Sequence, residues 1–316
     1  MTTLFVFIKF AELVYRPQKL QPIPGWYIGM LENERRLGLY RRQLKRIWER
    51  LERRYPDSNL KIKWVKKINI LVRPSSELSR CLYVEGVYEP NEFYFLEQYL
   101  KPGMTFIDVG ANNGWFSLFA SRLVGGQGQV LAIEPSRREV AKIYKNLLLN
   151  HYPNVRVYQL GLSDHSGEAE LLIAEEYHEG HNTFGRFVYQ TGLKGKERVA
   201  VDTLDNLVKC EKIEKVNLIK IDSEGSEFLV LRGADQIIET YRPLILTELF
   251  DRSLRNLGNS AKDILGFFKS RSYGLYTFSP NTGRPEIFRD YDNPSAKNII
   301  AVPAEKDANF HRYTML

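Results

Sequence analysis

The sequence predicts an α/β protein: a doubly wound, mostly parallel sheet with an antiparallel edge strand and a basic helical N-terminal segment. Two observations carry this. From residue 104 onward, apolar runs of strand length alternate with amphipathic segments of helix length, as parallel strands covered on both faces by right-handed crossovers require. Before that, Lys and Arg crowd between Leu31 and Arg73, where fourteen stand against five Asp and Glu.

In chain order, Met1 to Ile8 is apolar but is interrupted by Lys9 and Glu12. It falls far short of the roughly 20 apolar residues of a bilayer span. It also lacks the basic start and small-residue cleavage site of a signal peptide. A first strand or helix against the body is expected. Within the basic stretch, Leu37, Tyr40, Leu44, Ile47, Trp48, Leu51 and Tyr55 recur every three or four residues, which predicts a helix with one apolar stripe. Thr105 to Val109 is a buried strand, Trp115 to Leu123 a helix and Gln129 to Ile133 a second strand. Ser136 and Glu139 have the spacing of a capping box. The helix they open bears Val140, Ile143, Tyr144, Leu147 and Leu148 on one face. Val155 to Gln159, Val216 to Ile221 and Leu244 to Thr247 supply three more strands, and Phe228, Leu231, Ile237 and Ile238 mark a helix between the last two. Leu275 to Phe278 and Asn298 to Val302 have no helix between them and predict an antiparallel pair at one edge. Glu168 to Ile173 and Lys196 to Val201 are extra short strands around a polar loop.

Composition bounds the function. With 316 residues, 43% apolar and 26% charged, neither a disordered chain nor a membrane bundle is expected. Two cysteines, Cys81 and Cys210, exclude a disulfide framework or a Cys-rich zinc module and suit a reducing cytoplasm. The net charge is +7; residues 31–73 alone carry +9, which leaves −2 for the rest. The basic stretch suits an anionic membrane surface, an acidic glycan or a phosphate backbone, or is simply a solvated helix face. Nothing in it has the spacing of a nucleic-acid module. The expected organisation is an accessory segment over 1–82, one α/β domain over 83–305 and a tail over 306–316.

The first predicted strand runs into Asp108-Val-Gly110-Ala-Asn112-Asn113-Gly114. In a doubly wound sheet, ligands bind beyond the carboxyl ends of the strands. A dinucleotide would want G-x-G-x-x-G there, and this turn does not supply it. An acid just before the glycines suits a ligand with a cationic amine, such as S-adenosylmethionine. Glu134, twenty residues after Gly114 at the end of the second strand, can accept two ribose hydroxyls. Asp108 and Glu134 on adjacent strand ends are more specific than either alone.

These and further motifs resemble the FkbM family of S-adenosylmethionine-dependent methyltransferases. The matching stretches are GVYEPNEFYFLEQYLKPGMTFIDVGANNGWFSL (86–118), VLAIEPS (130–136), LGLSDHSGEAEL (160–171), VDTLDNL (201–207), LIKIDSEGSEFLVLRGA (218–234) and TELF (247–250). The resemblance implies a class I, Rossmann-like methyltransferase domain, S-adenosyl-L-methionine as cofactor, and methylation of hydroxyl groups on sugars or natural products. It implies that Asp108, Gly110, Asn112 and Gly114 hold the methionine end of the cofactor, Glu134 the ribose, and Ser163 and Asp164 the adenine side. Asn113 and Ser223 depart from the family, which more often has Ile or Val at the first and Val at the second.

Methyl transfer to an alcohol needs an aligned nucleophile and a proton acceptor. Asp222 and Glu224, in Lys-Ile-Asp-Ser-Glu-Gly, are the leading candidates for base or orienting acid, and Glu248 lies near. The alternative is that Asp222 caps the next helix and Glu224 or Glu227 pairs with a Lys or Arg. Glu227 is the most structural of the set. His181, in the polar loop, is the second candidate base. His165 is read as a turn residue, and His151 follows a helix end. Two roles stay open for Glu89: reaching the cofactor amine, or fixing the turn at Pro90. Separated acids do not establish metal-ligand spacing, so no metal is assigned. The expected function is O-methylation of a sugar, glycan or natural-product hydroxyl in the cytoplasm, peripheral to the inner membrane. A nucleic-acid methyltransferase and a non-catalytic cofactor-binding module are the alternatives.

Overall fold

A computed structural model describes residues 34–291 and 297–310. The expectations for Met1 to Ile8 and for residues 311–316 lie outside the described residues. The basic helix forms as α1 (Glu34–Arg54). Leu44 and Trp48 of its stripe are buried, Trp48 against Tyr83 with ring centroids 5.1 Å apart. Tyr55 lies past the helix end and is exposed.

A hairpin that the sequence does not announce comes next: β1 (Leu60–Lys63) antiparallel to β2 (Asn69–Val72). After it are α2 (Glu77–Glu85), whose N-cap Ser76 accepts from the Ser79 amide, and α3 (Pro90–Tyr99). Trp64 after β1 meets the Phe93 ring edge-on at 5.1 Å, and Phe93 stacks on Phe116 at 4.1 Å. Residues 60–99 therefore share one apolar core with the helix after the first central strand. The boundary expected at residue 82 is not a break in packing.

Among the described residues the main sheet has eight strands. Those expected are β3 (Thr105–Val109), β4 (Gln129–Ile133), β5 (Val155–Tyr158), β9 (Leu218–Ile221) and β10 (Leu244–Leu249). They lie in the order β5-β4-β3-β9-β10 and are all parallel. The chain builds outward from β3 to β5 and then returns to the other side of β3. The switch point thus falls between β3 and β9. The late runs pair antiparallel as β11 (Tyr273–Phe278) and β13 (Lys297–Pro303), with β12 (Pro285–Ile287) at the edge. β13 inserts beside β10. Three strands form a separate small sheet: β6 (Gly161–Leu162), β7 (Gly167–Ala174) and β8 (Leu193–Asp202).

The helices between strands are α4 (Trp115–Val124), α5 (Arg137–Leu148), α6 (Leu204–Cys210), α7 (Glu227–Arg232), α8 (Asp235–Tyr241), α9 (Asp251–Arg255) and α10 (Ala261–Ser270). The single helix expected around Phe228 to Ile238 is broken into α7 and α8 at Gly233-Ala234. A last helix, α11 (Ala304–Phe310), runs into the expected tail and buries Phe310. Side chains alternate across β3 as the strand period demands. Ile107 and Val109 face a core shared with α7, α8 and α10, while Phe106 faces the one shared with α3 and α4. The capping box at Ser136 does not form: Ser136 makes no side-chain cap, and Glu139 pairs with Arg138 and Lys142. Among the described residues no helix is long and apolar enough to cross a membrane.

Candidate active site

The site is assembled at the carboxyl ends of β3, β4 and β9, beside the switch point. Gly110 leaves β3 with φ +77, and a Cβ there would stand 1.8 Å from the Asp222 carbonyl oxygen. The ends of β3 and β9 meet because this position has neither a side chain nor a steric bar to positive φ. The Asp222 amide donates to the Val109 carbonyl at 3.0 Å, and the Gly110 and Ala111 amides both donate to Ile133. Asn112 continues the turn at φ 49, and Gly114 is the N-cap of α4.

Glu134 closes the far side. One carboxyl oxygen accepts from the Asn112 amide and the other from the Ser136 amide, each at 2.9 Å. Burial pushes this carboxyl up to about 8, against the pull of those two amides. A cleft with about 460 Å³ of empty space, its open mouth included, runs from Gly110 and Glu134 to Asp222 and Glu224. Leu160, Leu162, Leu171 and Phe184 supply its apolar wall. Ser163 and Asp164 stand apart from that lining. The Ser163 amide donates to Asp202, and Asp164 pairs with Arg232 and His165. The part of this stretch that lines the cleft is the preceding Leu160–Leu162 segment.

Asp108 is fully buried and accepts from Ser117 Oγ at 2.6 Å, while its Oδ1 has no partner. Burial raises its pKa, with Lys220 pulling the other way. Lys220 stands directly across from it on β9. Its ammonium lies 2.8 Å from Asp222 Oδ2 and 4.5 Å from the centroid of the Phe116 ring. Burial alone would lower the Lys220 pKa, but Asp222, Glu89 and Asp108 raise it on balance. Around this cation stand more acids. Glu89 caps α3 at φ 48 without a side-chain cap bond, and its Oε2 is buried and unpartnered. Of its two expected roles, the turn-fixing bond is therefore not made. Glu92 accepts from Asn298 at 2.7 Å. Burial, then Asp222 and Glu227, push Glu248 up to about 8.

Glu224 sits at φ 49 with its carbonyl held by Thr183 Oγ1 at 2.8 Å. Burial and the neighbouring Asp222 raise its pKa well above the carboxylate range. Among the described residues no hydrogen bond takes up its side chain. Asp222 does not cap the next helix; it holds Lys220. Among the described residues Glu227 pairs with no Lys or Arg. It accepts from the Ser223 and Gly225 amides, so it fixes the turn that carries Glu224.

The polar loop lies over the glycine turn. Its 3₁₀ segment, Glu176–His181, brings in Glu179, which accepts from Ser76 Oγ at 2.6 Å and Asn113 Nδ2 at 3.0 Å and pairs with Lys142. The Glu179 carbonyl accepts from Asn112 Nδ2 at 3.2 Å. Asn113, the first of the two departures, answers a buried carboxylate. Ser223, the second departure, gives its amide to Glu227. His181 stacks between His178 and Tyr189, with Nδ1 3.2 Å from Thr191 Oγ1. Burial and His178 lower its pKa, and the charge of Asp222 reaches it. His165 bonds Asp164 at 2.8 Å, and His151 comes after α5 at φ 54. Among the described residues no group of three or more His, Cys, Asp or Glu side chains is placed to hold a metal ion.

The sequence reading missed Lys220, Glu92 and Glu179. A signal for Lys220 was present, since a lysine inside a four-residue apolar central strand must find a carboxylate. Glu92 and Glu179 had none, because their partners are remote in sequence.

These residues fit an adenosyl sulfonium. Two buried acceptors without hydrogen-bond donors, on Asp108 and Glu89, suit an ammonium but stand outside the cleft lining, while Glu134, which is part of it, suits a ribose diol. Glu134→Gln is expected to weaken cofactor binding about 10- to 100-fold, the range for leaving a buried hydrogen-bonding group unsatisfied. The new amide would also face a backbone N–H. Calorimetric titration checks this, and unchanged affinity would place the ribose elsewhere.

Residues 108–275, more than half of the chain, match the profile of the methyltransferase FkbM domain. The chain is 28% identical over 172 residues to methyltransferase sdnD of Sordaria araneosa, covering 43% of this chain and 66% of that protein. It thus spans just under two thirds of that relative. It is 26% identical over 248 residues to methyltransferase 1 of Beauveria bassiana, covering 72% of this chain and 94% of that one. A crystal structure of an FkbM methyltransferase from Methylobacillus flagellatus superposes with a TM-score of 0.41 at 16% identity, over 71% of this chain and 54% of that one.

Proposed function

The chain belongs to the FkbM methyltransferase family, and from that premise we propose that it is an S-adenosylmethionine-dependent O-methyltransferase acting on a hydroxyl of a sugar, glycan or natural-product acceptor. When bound, the cofactor supplies an electrophilic methyl group on sulfur. The chain must then orient an alcohol and take its proton.

The observation that carries this reading is Glu224, which lines the cleft beside Gly110 and whose carboxyl makes no hydrogen bond among the described residues. Asp222, by contrast, is held by Lys220. That division makes Glu224 the base and the Asp222–Lys220 pair its fixed electrostatic frame. A carboxyl raised above its ordinary range is matched to proton transfer near neutral pH. Acids at this end of the sheet also repel a phosphate backbone, which speaks against a nucleic-acid acceptor.

Labelled cofactor offered to a panel of glycans, lipids and RNA tests the acceptor class, and label on RNA alone would reverse the reading. Glu224→Gln is expected to lower kcat about 10²- to 10⁴-fold, the range for a lost general base, with cofactor affinity nearly unchanged. The base works deprotonated. Wild-type kcat should therefore rise with pH through a value above the usual carboxylate range, and the variant should lose that limb. If Glu224→Gln keeps its rate and His181→Ala loses it, the proton goes to His181.

A further inference from the structure

The polar loop and the end of β10 together build a row of rings beside the cleft. His178 and His181 stack at 5.6 Å, His181 and Tyr189 at 4.7 Å, and Tyr189 and Phe250 at 5.7 Å. At such separations rings are offset rather than eclipsed, and Tyr189 keeps 48% of its surface exposed. Local sequence explains the far end of the row. In Thr-Glu-Leu-Phe (247–250), extended backbone continues through Phe250, at φ −116 and ψ 93. The strand period of two then sets Glu248 and Phe250 on one side and Leu249 in the core. The loop is pinned there: Asn256 Nδ2 donates to the Arg186 carbonyl at 2.9 Å, and Arg252 to the Val188 carbonyl at 3.2 Å. The row is thus preformed, which lowers the cost of seating a ligand on it. Burial, then the charges of Glu248 and Glu224, raise the Tyr189 pKa, so both carboxyls stand close to the row.

We propose that Tyr189 and Phe250 are the platform on which the acceptor's pyranose ring lies, with Glu248 accepting from the hydroxyl beside the one that Glu224 deprotonates. This rests on the reading of the chain as an O-methyltransferase with Glu224 as its base. A pyranose has an apolar face of C–H groups and a rim of adjacent hydroxyls. The rings suit the face, and the carboxyls suit the rim, the usual division of a ligand site between apolar wall and a few orienting polar groups. Among the described residues no hydrogen bond takes up the Glu224 or Glu248 carboxyl, and desolvated acceptors left without a donor are costly. A phenol brings the flat ring but a single hydroxyl, which leaves one carboxyl unanswered. An acyclic polyol brings the donors but no face. Rings and carboxyls on one ledge therefore favour a cyclic polyol.

The test offers labelled cofactor and the full chain to methyl pyranosides and short glycans, to phenols, and to acyclic polyols. Label is expected on a pyranose, and far less on its deoxy analogue lacking the hydroxyl next to the methylated position. Tyr189→Ala should raise the KM for that acceptor about tenfold, the upper end for one ring contact. Its kcat should fall far less, and its affinity for S-adenosylhomocysteine should hold in calorimetry. Tyr189→Phe keeps the ring and should restore KM. Glu248→Ala should erase the preference over the deoxy analogue. Tyr144→Ala, which removes a similarly exposed ring on α5, should match wild type. A wild-type KM in Tyr189→Ala, or label confined to phenols or acyclic polyols, would overturn the platform and leave the O-methyltransferase reading in place. A deoxy analogue methylated as well as its parent would overturn the role of Glu248. Label on none of these hydroxyl compounds, with cofactor bound, would remove that reading and the platform together.

Discussion

Gly110→Ala is expected to abolish measurable cofactor binding and to destabilise the fold. The new methyl would be 1.8 Å from the Asp222 carbonyl oxygen and 2.8 Å from its carbon. Both are backbone atoms of the neighbouring strand, so nothing flexible can give way. The ends of β3 and β9 must separate, and the amide of Asp222 loses its bond to Val109. The positive φ adds about 1–2 kcal/mol of strain, and overpacking adds about 1–3 kcal/mol. Gly103→Ala is the control, because it shares the positive φ at +85 but has nothing within 4 Å. Comparing the two in thermal melts and cofactor titrations separates strain from collision. Equal behaviour would mean that the close approach of the two strands is not what shapes the cleft.

Lys220→Met is expected to cost about 3–5 kcal/mol of stability, the range for removing one partner of a buried ion pair. Methionine fills much of the lysine volume, so the loss would reflect charge rather than a cavity. Asp222, Asp108 and Glu89 would keep their burial and lose their cation. The pH dependence has a definite sign. Carboxyls with folded-state pKa values raised above their unfolded values stabilise fully below the ordinary carboxylate range and lose that contribution as pH rises through the raised value. Without Lys220 the raised values of Asp108 and Glu89 rise further, so the variant should approach wild type in acid and fall away toward neutral pH. A gap that stays constant with pH would mean that Lys220 acts by packing alone. Glu134 and Glu248, each pushed up to about 8, give the same slope to the wild-type protein without cofactor, between the ordinary carboxylate range and about pH 8.

Much of this architecture is legible along the chain because parallel strands buried on both faces leave short apolar runs. TFIDV, QVLAI and LIKI are three of them. The glycine turn and Glu134 are legible for a related reason: a ligand site at strand ends is encoded locally, in the few residues just past each strand. The parts that resisted reading depend on remote partners. The β1–β2 hairpin owes its burial to Trp64 meeting Phe93 and Phe119, and the place of β13 beside β10 depends on pairing across some fifty residues. The capping pattern at Ser136 misled because Glu134 draws the Ser136 amide while Glu139 answers Arg138 and Lys142. The use of Asn113 is hidden for the same reason, because its partner Glu179 is 66 residues away.

Everything proposed for the site depends on the cleft from Gly110 to Glu134 and Asp222 receiving an adenosyl sulfonium compound. A crystal structure of the full chain grown with S-adenosylhomocysteine would show its occupant. Ribose hydroxyls are expected on Glu134, the amino group toward Asp108 and Glu89, and the base against Leu160 and Leu162. The product lodged elsewhere, or a dinucleotide occupying that cleft in its place, would contradict this assignment.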